Sequence, residues 1–255
     1  MTERLKPDSP VARKVFPSPN HGERRAAAID ALILHYTGMP TGDAALRRLV
    51  DPIAEVSAHY FVWEDGMTLQ LVPEARRAWH AGMSRWAGEA DMNSASIGIE
   101  IVNPGHDEGC PPFPAQQMAA VAALCRDICL RHHIAPQRVL AHSDIAPGRK
   151  RDPGEAFPWE ELHRAGVGHW VEPAPIQPGP SFEAGSLGPP VTALQTMLAL
   201  YGYDLEANGV YDERTRVVVE AFQRHFRPQK VDGVADLSTL KTLRALLDAL
   251  PRAMA

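Results

Sequence analysis

The chain has 255 residues, with 26 Lys and Arg against 31 Asp and Glu, and its formal net charge is -5. This balance argues against a generic nucleic-acid-binding protein, because neutralising phosphates requires an excess of basic residues or a dense basic stripe. Hydrophobic residues make up 45% of the chain and charged residues 22%, which is typical of folded proteins and excludes global disorder.

The first ten residues contain no apolar stretch of signal-peptide length, and no later run reaches the roughly 18 apolar residues that a membrane helix needs. We therefore expect no integral membrane segment. As written, the sequence favours a cytoplasmic location. A periplasmic location would apply if the N-terminus shown were trimmed or misannotated.

Short apolar runs alternate with helical patterns over the first 170 residues. Five runs predict β-strands, at residues 29–35, 58–63, 67–72, 97–102 and 139–142. The sequence Glu64-Asp65-Gly66 predicts a hairpin turn between the second and third of these strands. Apolar residues at helical spacing predict one long amphipathic helix over residues 115–133. The pattern indicates a mixed α/β fold in which one sheet carries helices.

The composition changes at residues 171–186, where repeated prolines and glycines predict a semi-extended linker. After it, the sequence Gly-Val-Tyr-Asp at residues 209–212 returns in related form, as Gly-Val-Ala-Asp, at residues 233–236. Asp212 and Asp236 are predicted to cap the helices that follow them. With an earlier helix that ends at Gly202, these helices predict a small three-helix domain. We therefore predict one domain at residues 1–170 and a second at residues 187–255.

Two histidines and one aspartate are candidate metal ligands. His35 and His142 each end a predicted strand, and Asp152 follows His142 after a short loop. Strand ends are rigid and open to solvent on one side, so these side chains can converge on an ion and leave one coordination position free. Such a set is typical of a catalytic zinc site. The alternative is that each histidine is an ordinary structural side chain.

Glu100 and Lys150 are candidate catalytic residues. The alternation of residues 96–102 places three isoleucines on one face of the strand and Glu100 on the other. A carboxylate inside such a strand is costly to bury unless it is paired or used, so Glu100 can serve as a general base. Lys150 can stabilise an oxyanion. The alternatives are a solvated sheet face for Glu100 and an ordinary charged loop for Lys150.

The other histidines and the cysteines carry weaker signals. Five histidines lie in polar sequence surroundings and are expected to be solvated, namely His21, His106, His163, His169 and His225. His59 and His80 receive no such assignment. Cys125 and Cys129 fall on the apolar face of the long helix, where thiolate formation is opposed. This position argues against a thiol hydrolase.

Five segments carry a more specific signal, in this order: Ile33-Leu34-His35-Tyr36-Thr37, Val56-Ser57-Ala58-His59-Tyr60, Trp79-His80-Ala81-Gly82, Ser96-Ile97-Gly98-Ile99-Glu100 and residues 142–158. Together they resemble the zinc-dependent N-acetylmuramoyl-L-alanine amidases of the AmpD/AmiD type, the amidase-2 family. The resemblance implies a mixed central β-sheet flanked by helices, one Zn²⁺ held by His35, His142 and Asp152, and catalysis by Glu100 and Lys150. The implied reaction is hydrolysis of the amide between N-acetylmuramic acid, or its 1,6-anhydro form, and L-alanine, for cell-wall recycling or remodelling.

The C-terminal part, through Leu200-Tyr201-Gly202-Tyr203, Ala221-Phe222-Gln223 and Asp232-Gly233, is similar to small helical peptidoglycan-binding domains. A two-domain layout of this kind resembles the AmiD branch of the family. The resemblance implies peptidoglycan or muropeptides, including anhydro-muropeptides, as partners.

Three side chains between the predicted strands are candidates for substrate contact. Trp79, His80 and Trp86 can line a cleft, where aromatic faces would pack against sugar rings or peptide; the alternative is hydrophobic packing under a loop. For the whole chain, the alternative function is a non-catalytic peptidoglycan recognition protein, as in relatives that have lost a zinc ligand. All ligand-type residues are present here, which disfavours that alternative.

Overall fold

The structure is a computed structural model that describes residues 6–26 and 28–250. Within these residues the strands form a six-stranded sheet and a two-stranded sheet. The six-stranded sheet has the order β1-β5-β4-β7-β3-β8, with the bounds β1 Lys14–Val15, β3 Ala31–Tyr36, β4 Tyr60–Val62, β5 Thr68–Gln70, β7 Ser96–Ile101 and β8 Val139–Ala141. Only β4 and β5 pair in antiparallel fashion, so the sheet is mixed, as predicted. The two-stranded sheet pairs β2 (His21–Glu23) with β6 (Arg76–Ala78).

The helices of the described residues flank this sheet or follow it in the chain. They are α1 Gly42–Val50, α2 Met92–Ala95, α3 Ala115–His132, α4 His142–Ile145, α5 Trp159–Arg164, α6 Pro189–Tyr201, α7 Glu213–Phe226 and α8 Leu237–Asp248. The predicted long helix is confirmed as α3, which ends because His133 adopts a left-handed conformation. None of the described helices combines the length and the apolar composition that crossing a membrane requires.

The central strands β3 and β7 are buried on both faces, as strands between helix layers must be. Ile97, Ile99 and Ile101 point towards α3 and share a hydrophobic core with its apolar side chains. The predicted alternation of this strand is therefore confirmed. Because parallel pairing places His35 directly beside Glu100, both side chains project from the opposite face.

The remaining predicted strands are also found, with shorter bounds. The predicted hairpin is confirmed between β4 and β5, where the amide of Met67 donates to Asp65 Oδ1 at 2.8 Å. One boundary is wrong: β8 ends at Ala141, and His142 is the first residue of α4 rather than the last of a strand. The cause is local, since Asp144 Oδ2 accepts a hydrogen bond from the amide of Ala141 and turns the chain into a helix.

The repeated sequence before α7 and α8 produces the same local structure twice. Asp212 and Asp236 cap these helices by accepting from the amides of Thr215 and Thr239, as predicted. A buried glutamine also holds each loop: Gln195 Oε1 accepts from Gly209, and Gln223 Oε1 accepts from Gly233.

The predicted linker at residues 171–186 contains no helix and lies against the helical region. The amide of Ala174 donates to Thr242 Oγ1 at 3.0 Å, and its carbonyl accepts from Ser238 Oγ at 2.6 Å. Phe182 forms an isolated β-bridge with Ala235. The segment is therefore extended but fixed by hydrogen bonds. The domain boundaries at residues 170 and 187 stay a prediction.

Candidate active site

Three side chains converge at the carboxyl ends of β3 and β8. His35 Nδ1, His142 Nδ1 and Asp152 Oδ2 lie 2.9 Å from one another in every pairing. Their exposed fractions are 1%, 3% and 7%. The strands β3 and β8 are parallel neighbours, so the residues that follow them meet at one edge of the sheet. The loop after α4 then returns Asp152 to the same point, where its carbonyl accepts from the amide of Ser143 at 3.0 Å.

Hydrogen bonds on the far side of both rings fix which nitrogen carries a proton. His142 Nε2 donates to the carbonyl of Ala81 at 3.0 Å, so in the neutral form of this ring Nδ1 carries the lone pair. The hydroxyl of Ser96 donates to a carbonyl, so it accepts from His80 Nε2, and His80 Nδ1 then accepts from His35 Nε2 at 3.1 Å. His35 Nδ1 therefore carries a lone pair and no hydrogen.

The lone pairs of His35 and His142 and the carboxylate of Asp152 consequently face one another. Burial, with a smaller effect from His142, lowers the pKa of His35 to about 4, so its ring is uncharged at neutral pH. Three acceptors at this separation repel unless a cation lies between them. Two neutral imidazoles and one carboxylate are a donor set that suits Zn²⁺. Among the described residues, these three form a group of potential metal ligands.

His80 and Arg149 support the ligands from outside. Burial lowers the pKa of His80 well below its usual range, so the ring stays neutral and can accept from His35. Arg149 Nη2 donates to the carbonyl of Ala81 at 2.7 Å, the same carbonyl that accepts from His142. Such contacts orient the ligands of metal sites and raise metal affinity. Neither role was predicted, and the charged sequence around Arg149 gives no signal for it.

Glu100 lies on the cleft side of β7, next to His35 on β3. Its Oε2 atom is buried and has no hydrogen-bond partner among residues 6–26 and 28–250. Burial, and then the charge of Asp152, raise the pKa of this carboxyl well above its usual value, while Lys150 acts in the opposite direction. A carboxyl group with a raised pKa is a stronger base than an ordinary carboxylate, and it can give back the proton that it accepts.

A cleft of about 380 Å³ contains all five predicted metal and catalytic residues. They are His35, Glu100, His142, Lys150 and Asp152. Trp79 and His80 also line it. His80 is hydrogen-bonded to His35, so its ring orients a metal ligand and also shapes the cleft.

The predicted position of Trp86 in the cleft is wrong. This side chain is only 1% exposed and packs edge-on against Tyr201 and Tyr203 of the C-terminal helical region, with ring centroids 6.2 and 4.8 Å away. It also lies against Gly202, where an added Cβ would overlap the indole ring. The alternative given for it, hydrophobic packing, is what the structure shows.

The prediction that His225 is solvated is also wrong. His225 is 2% exposed, and its Nδ1 lies 2.6 Å from Asp144 Oδ2. A signal was available, because position 225 follows Val218, Ala221 and Phe222 at helical spacing and so belongs to the apolar face of α7. Of the other histidines expected to be solvated, His163 is exposed.

The cysteines do not offer a nucleophile. Burial raises the pKa of the Cys125 thiol well above its usual range and that of Cys129 to about 11. The expected obstacle to thiolate formation is confirmed.

The chain resembles known proteins in family, in sequence and in structure. The family model described as N-acetylmuramoyl-L-alanine amidase matches residues 25–155, and one described as a peptidoglycan binding domain matches residues 188–243. The chain is 38% identical over 238 residues to the N-acetylmuramoyl-L-alanine amidase AmiD of Escherichia coli (strain K12), covering 86% of this chain and 83% of that protein. It is 34% identical over 171 residues to the 1,6-anhydro-N-acetylmuramyl-L-alanine amidase AmpD of Enterobacter cloacae, covering 60% and 89%.

Two solved complexes are similar over nearly the whole chain. The complex of E. coli AmiD with anhydro-N-acetylmuramic acid-L-Ala-D-gamma-Glu-L-Lys has a TM-score of 0.74 at 36% identity, and the match covers 91% of this chain and 94% of that one. The complex of AmpDh3 from Pseudomonas aeruginosa with anhydromuramic pentapeptide has a TM-score of 0.72 at 32% identity, with 97% and 99% covered.

Proposed function

The chain belongs to the N-acetylmuramoyl-L-alanine amidase family, and from this premise we propose that it is a zinc-dependent hydrolase of the amide between N-acetylmuramic acid and L-alanine. The observation that carries the proposal is the convergence of two unprotonated imidazole nitrogens and one carboxylate oxygen beside the buried carboxyl of Glu100. A recognition protein without activity would need neither feature. The non-catalytic alternative is therefore disfavoured.

The substrate class follows from the relatives and from the C-terminal match. Both solved complexes contain anhydro-muramic peptides, so we propose muropeptides, including their 1,6-anhydro forms, as substrates of this chain. We also propose that residues 187–255 form a peptidoglycan-binding domain, in agreement with the family match at residues 188–243.

His35, His142 and Asp152 would hold one zinc ion. When bound, the ion supplies Lewis-acid polarisation of the scissile carbonyl. The tautomers described above present both Nδ1 lone pairs to it, and the bonds from His35 to His80 and from His142 to the carbonyl of Ala81 keep the rings in that orientation.

Glu100 would move the proton of the reaction. Its carboxylate accepts a proton from the attacking water as the oxygen of that water bonds to the carbonyl carbon. The same carboxyl then donates the proton to the amide nitrogen as the carbon–nitrogen bond breaks, so L-alanine leaves as an amine. Lys150, on the rim of the same cleft, would donate a hydrogen bond to the oxygen that gains negative charge.

The proposal is tested with purified full-length protein and a muropeptide of defined structure. We expect the protein to retain zinc after dialysis, to lose cleavage on chelation and to regain it when zinc is added back. Mass spectrometry should show a free muramic acid fragment and a peptide with an N-terminal alanine. Cleavage that survives complete chelation would contradict the metal assignment, and cleavage at another bond would contradict the reaction.

A further inference from the structure

Asp144 connects the metal site to the C-terminal helices. It lies on α4, two residues after His142, and is 1% exposed. Its carboxylate accepts three hydrogen bonds, from the amide of Ala141 at 2.8 Å, from the hydroxyl of Tyr203 at 2.7 Å and from His225 Nδ1 at 2.6 Å. Two of the three donors therefore come from the region predicted to bind peptidoglycan.

Both of these donors are held firmly by packing. The ring of His225 stacks between Trp159 and Phe226, with ring centroids 3.7 and 3.8 Å away. The ring of Tyr203 packs edge-on against Trp86 at 4.8 Å. Trp159 and Trp86 belong to the sheet-containing region, so the two regions enclose the polar contact between them. A buried contact of this kind serves no purpose in wall adhesion, which needs an exposed surface.

The loop between the ligands His142 and Asp152 lies against α7, the helix that carries His225. Gly148 lies between His142 and Asp152, and a Cβ added to it would lie 3.2 Å from the side chain of Val217 on α7. Just after the loop, the guanidinium of Arg224 on α7 lies 3.4 Å from the carboxylate of Glu155. The helix α7 therefore lies against the ligand loop at Gly148 and against the residue Glu155 that follows the loop.

We propose that Tyr203 and His225 are positioning residues for the metal ligand His142, and that they act through the carboxylate of Asp144. The helix α4 has only four residues, and Asp144 caps its start through the amide of Ala141. A donor lost from this buried carboxylate leaves it poorly solvated, so Asp144 turns and the first turn of α4 moves with it. The Nδ1 atom of His142 then leaves the position it shares with His35 and Asp152. The inference rests on the proposed metal site.

The test compares two matched tyrosines in the full-length protein. Tyr203→Phe removes the hydroxyl that donates to Asp144, and Tyr211→Phe removes a hydroxyl that donates to the carbonyl of Gly233 at the same distance, 2.7 Å, within the helical region. Both side chains are almost fully buried. Zinc affinity is measured by competition with a chromophoric chelator. We expect Tyr203→Phe to weaken it about tenfold or more, as for other residues that orient ligands, and Tyr211→Phe to leave it unchanged.

His225 supplies a second comparison. His225→Ala should weaken zinc affinity and alter the visible spectrum of the Co²⁺-substituted protein, which reports ligand geometry. His225→Asn, whose amide nitrogen can take the place of Nδ1, should restore part of both. If His225→Ala does not fold, the tyrosine pair decides the question.

The outcomes separate this inference from the proposed function. If the wild-type protein binds no zinc, the proposed metal site is wrong. If the wild type binds zinc and cleaves muropeptides while Tyr203→Phe binds zinc as tightly, the positioning role is refuted and the function stands. Equal weakening by Tyr203→Phe and Tyr211→Phe would also refute it, because the effect would then be general destabilisation.

Discussion

Replacing Glu100 with glutamine keeps the size of the side chain and removes its ability to carry a proton. We expect Glu100→Gln to bind zinc normally and to lose turnover by about 100- to 10,000-fold, the usual contribution of a general acid or base. This loss corresponds to about 2.7 to 5.4 kcal/mol of activation free energy. Single-turnover cleavage of a defined muropeptide, followed by chromatography, gives the chemical rate directly.

The same substitution should stabilise the metal-free protein at neutral pH, although it lowers activity. Without metal, burial and the charge of Asp152 raise the pKa of Glu100 well above 4.5, so the folded protein holds a proton that the unfolded chain releases. The stability linked to this proton is fully present below about pH 4.5 and is lost as pH rises towards the folded-state pKa, by at most about 1.4 kcal/mol per pH unit. Glutamine does not titrate. Metal-free Glu100→Gln should therefore be more stable than metal-free wild type at neutral pH, with the difference shrinking towards pH 4.

Glu74 is the matched control, because its pKa is shifted the other way. Burial opposes its charged form, but hydrogen bonds from Arg131, Tyr60 and His132 lower its pKa to about 2. The stabilisation that ionised Glu74 gives the folded protein is present above about pH 4.5 and is lost as pH falls towards 2. Glu74→Gln should therefore destabilise the protein at neutral pH. Urea unfolding of both variants across pH makes the comparison. A pH-independent difference for Glu100→Gln, or a loss of turnover below tenfold, would refute the reasoning.

Three further substitutions test other parts of the site and its support. Lys150→Ala should lower kcat by about 100- to 1,000-fold with a small change in KM, because an oxyanion donor acts mainly in the transition state; a change confined to KM would assign Lys150 to substrate binding instead. Gly98→Ala should weaken zinc affinity in a chelator competition, although Gly98 touches no metal ligand. The new Cβ would overlap the ring of His80 and displace it from its hydrogen bond with His35. Unchanged affinity would show that His80 does not orient His35. Trp86→Ala should cost about 3 to 5 kcal/mol in chemical denaturation because the indole is 1% exposed between the two regions, and a cost below about 1 kcal/mol would contradict that packing.

The parts of this protein that sequence reasoning predicted are those encoded over short distances in the chain. The period of two in β7 placed Glu100 opposite three isoleucines, and the period of the helix placed Cys125 in the core. The caps Asp212 and Asp236 follow from the residues beside them. The ligand set came from residue type at element ends together with the family resemblance. For the strand, the helix and the caps the physical cause lies within a few residues of the prediction, whereas the ligand set spans 117 positions and depended on the resemblance.

Apart from the end of β8 at Ala141, which has a local cause, the errors and omissions concern contacts between segments that are remote in sequence. His80 reaches His35 across 45 positions and His225 reaches Asp144 across 81, and nothing in local periodicity encodes either distance. Trp86 was assigned to the cleft because an aromatic residue near a site suggests substrate contact, but tertiary packing against Tyr203 determines its place. Polar surroundings in sequence were equally misleading for His225, since its neighbours in space are aromatic rings.

The hydrogen bonds that fix residues 171–186 against α8 have a consequence for how the enzyme would work on an insoluble mesh. When a flexible linker joins a binding module to a catalytic domain, the catalytic domain can reach a volume that is set by the length of the linker. Here the linker is held against the helical module, and the buried contacts of Tyr203 with Trp86 and Asp144 join that module to the sheet-containing region, so the two would move as one body. Once bound to a glycan strand, the molecule would reach only stem peptides at one distance and angle from its binding site. Further cleavage would require it to dissociate and bind again.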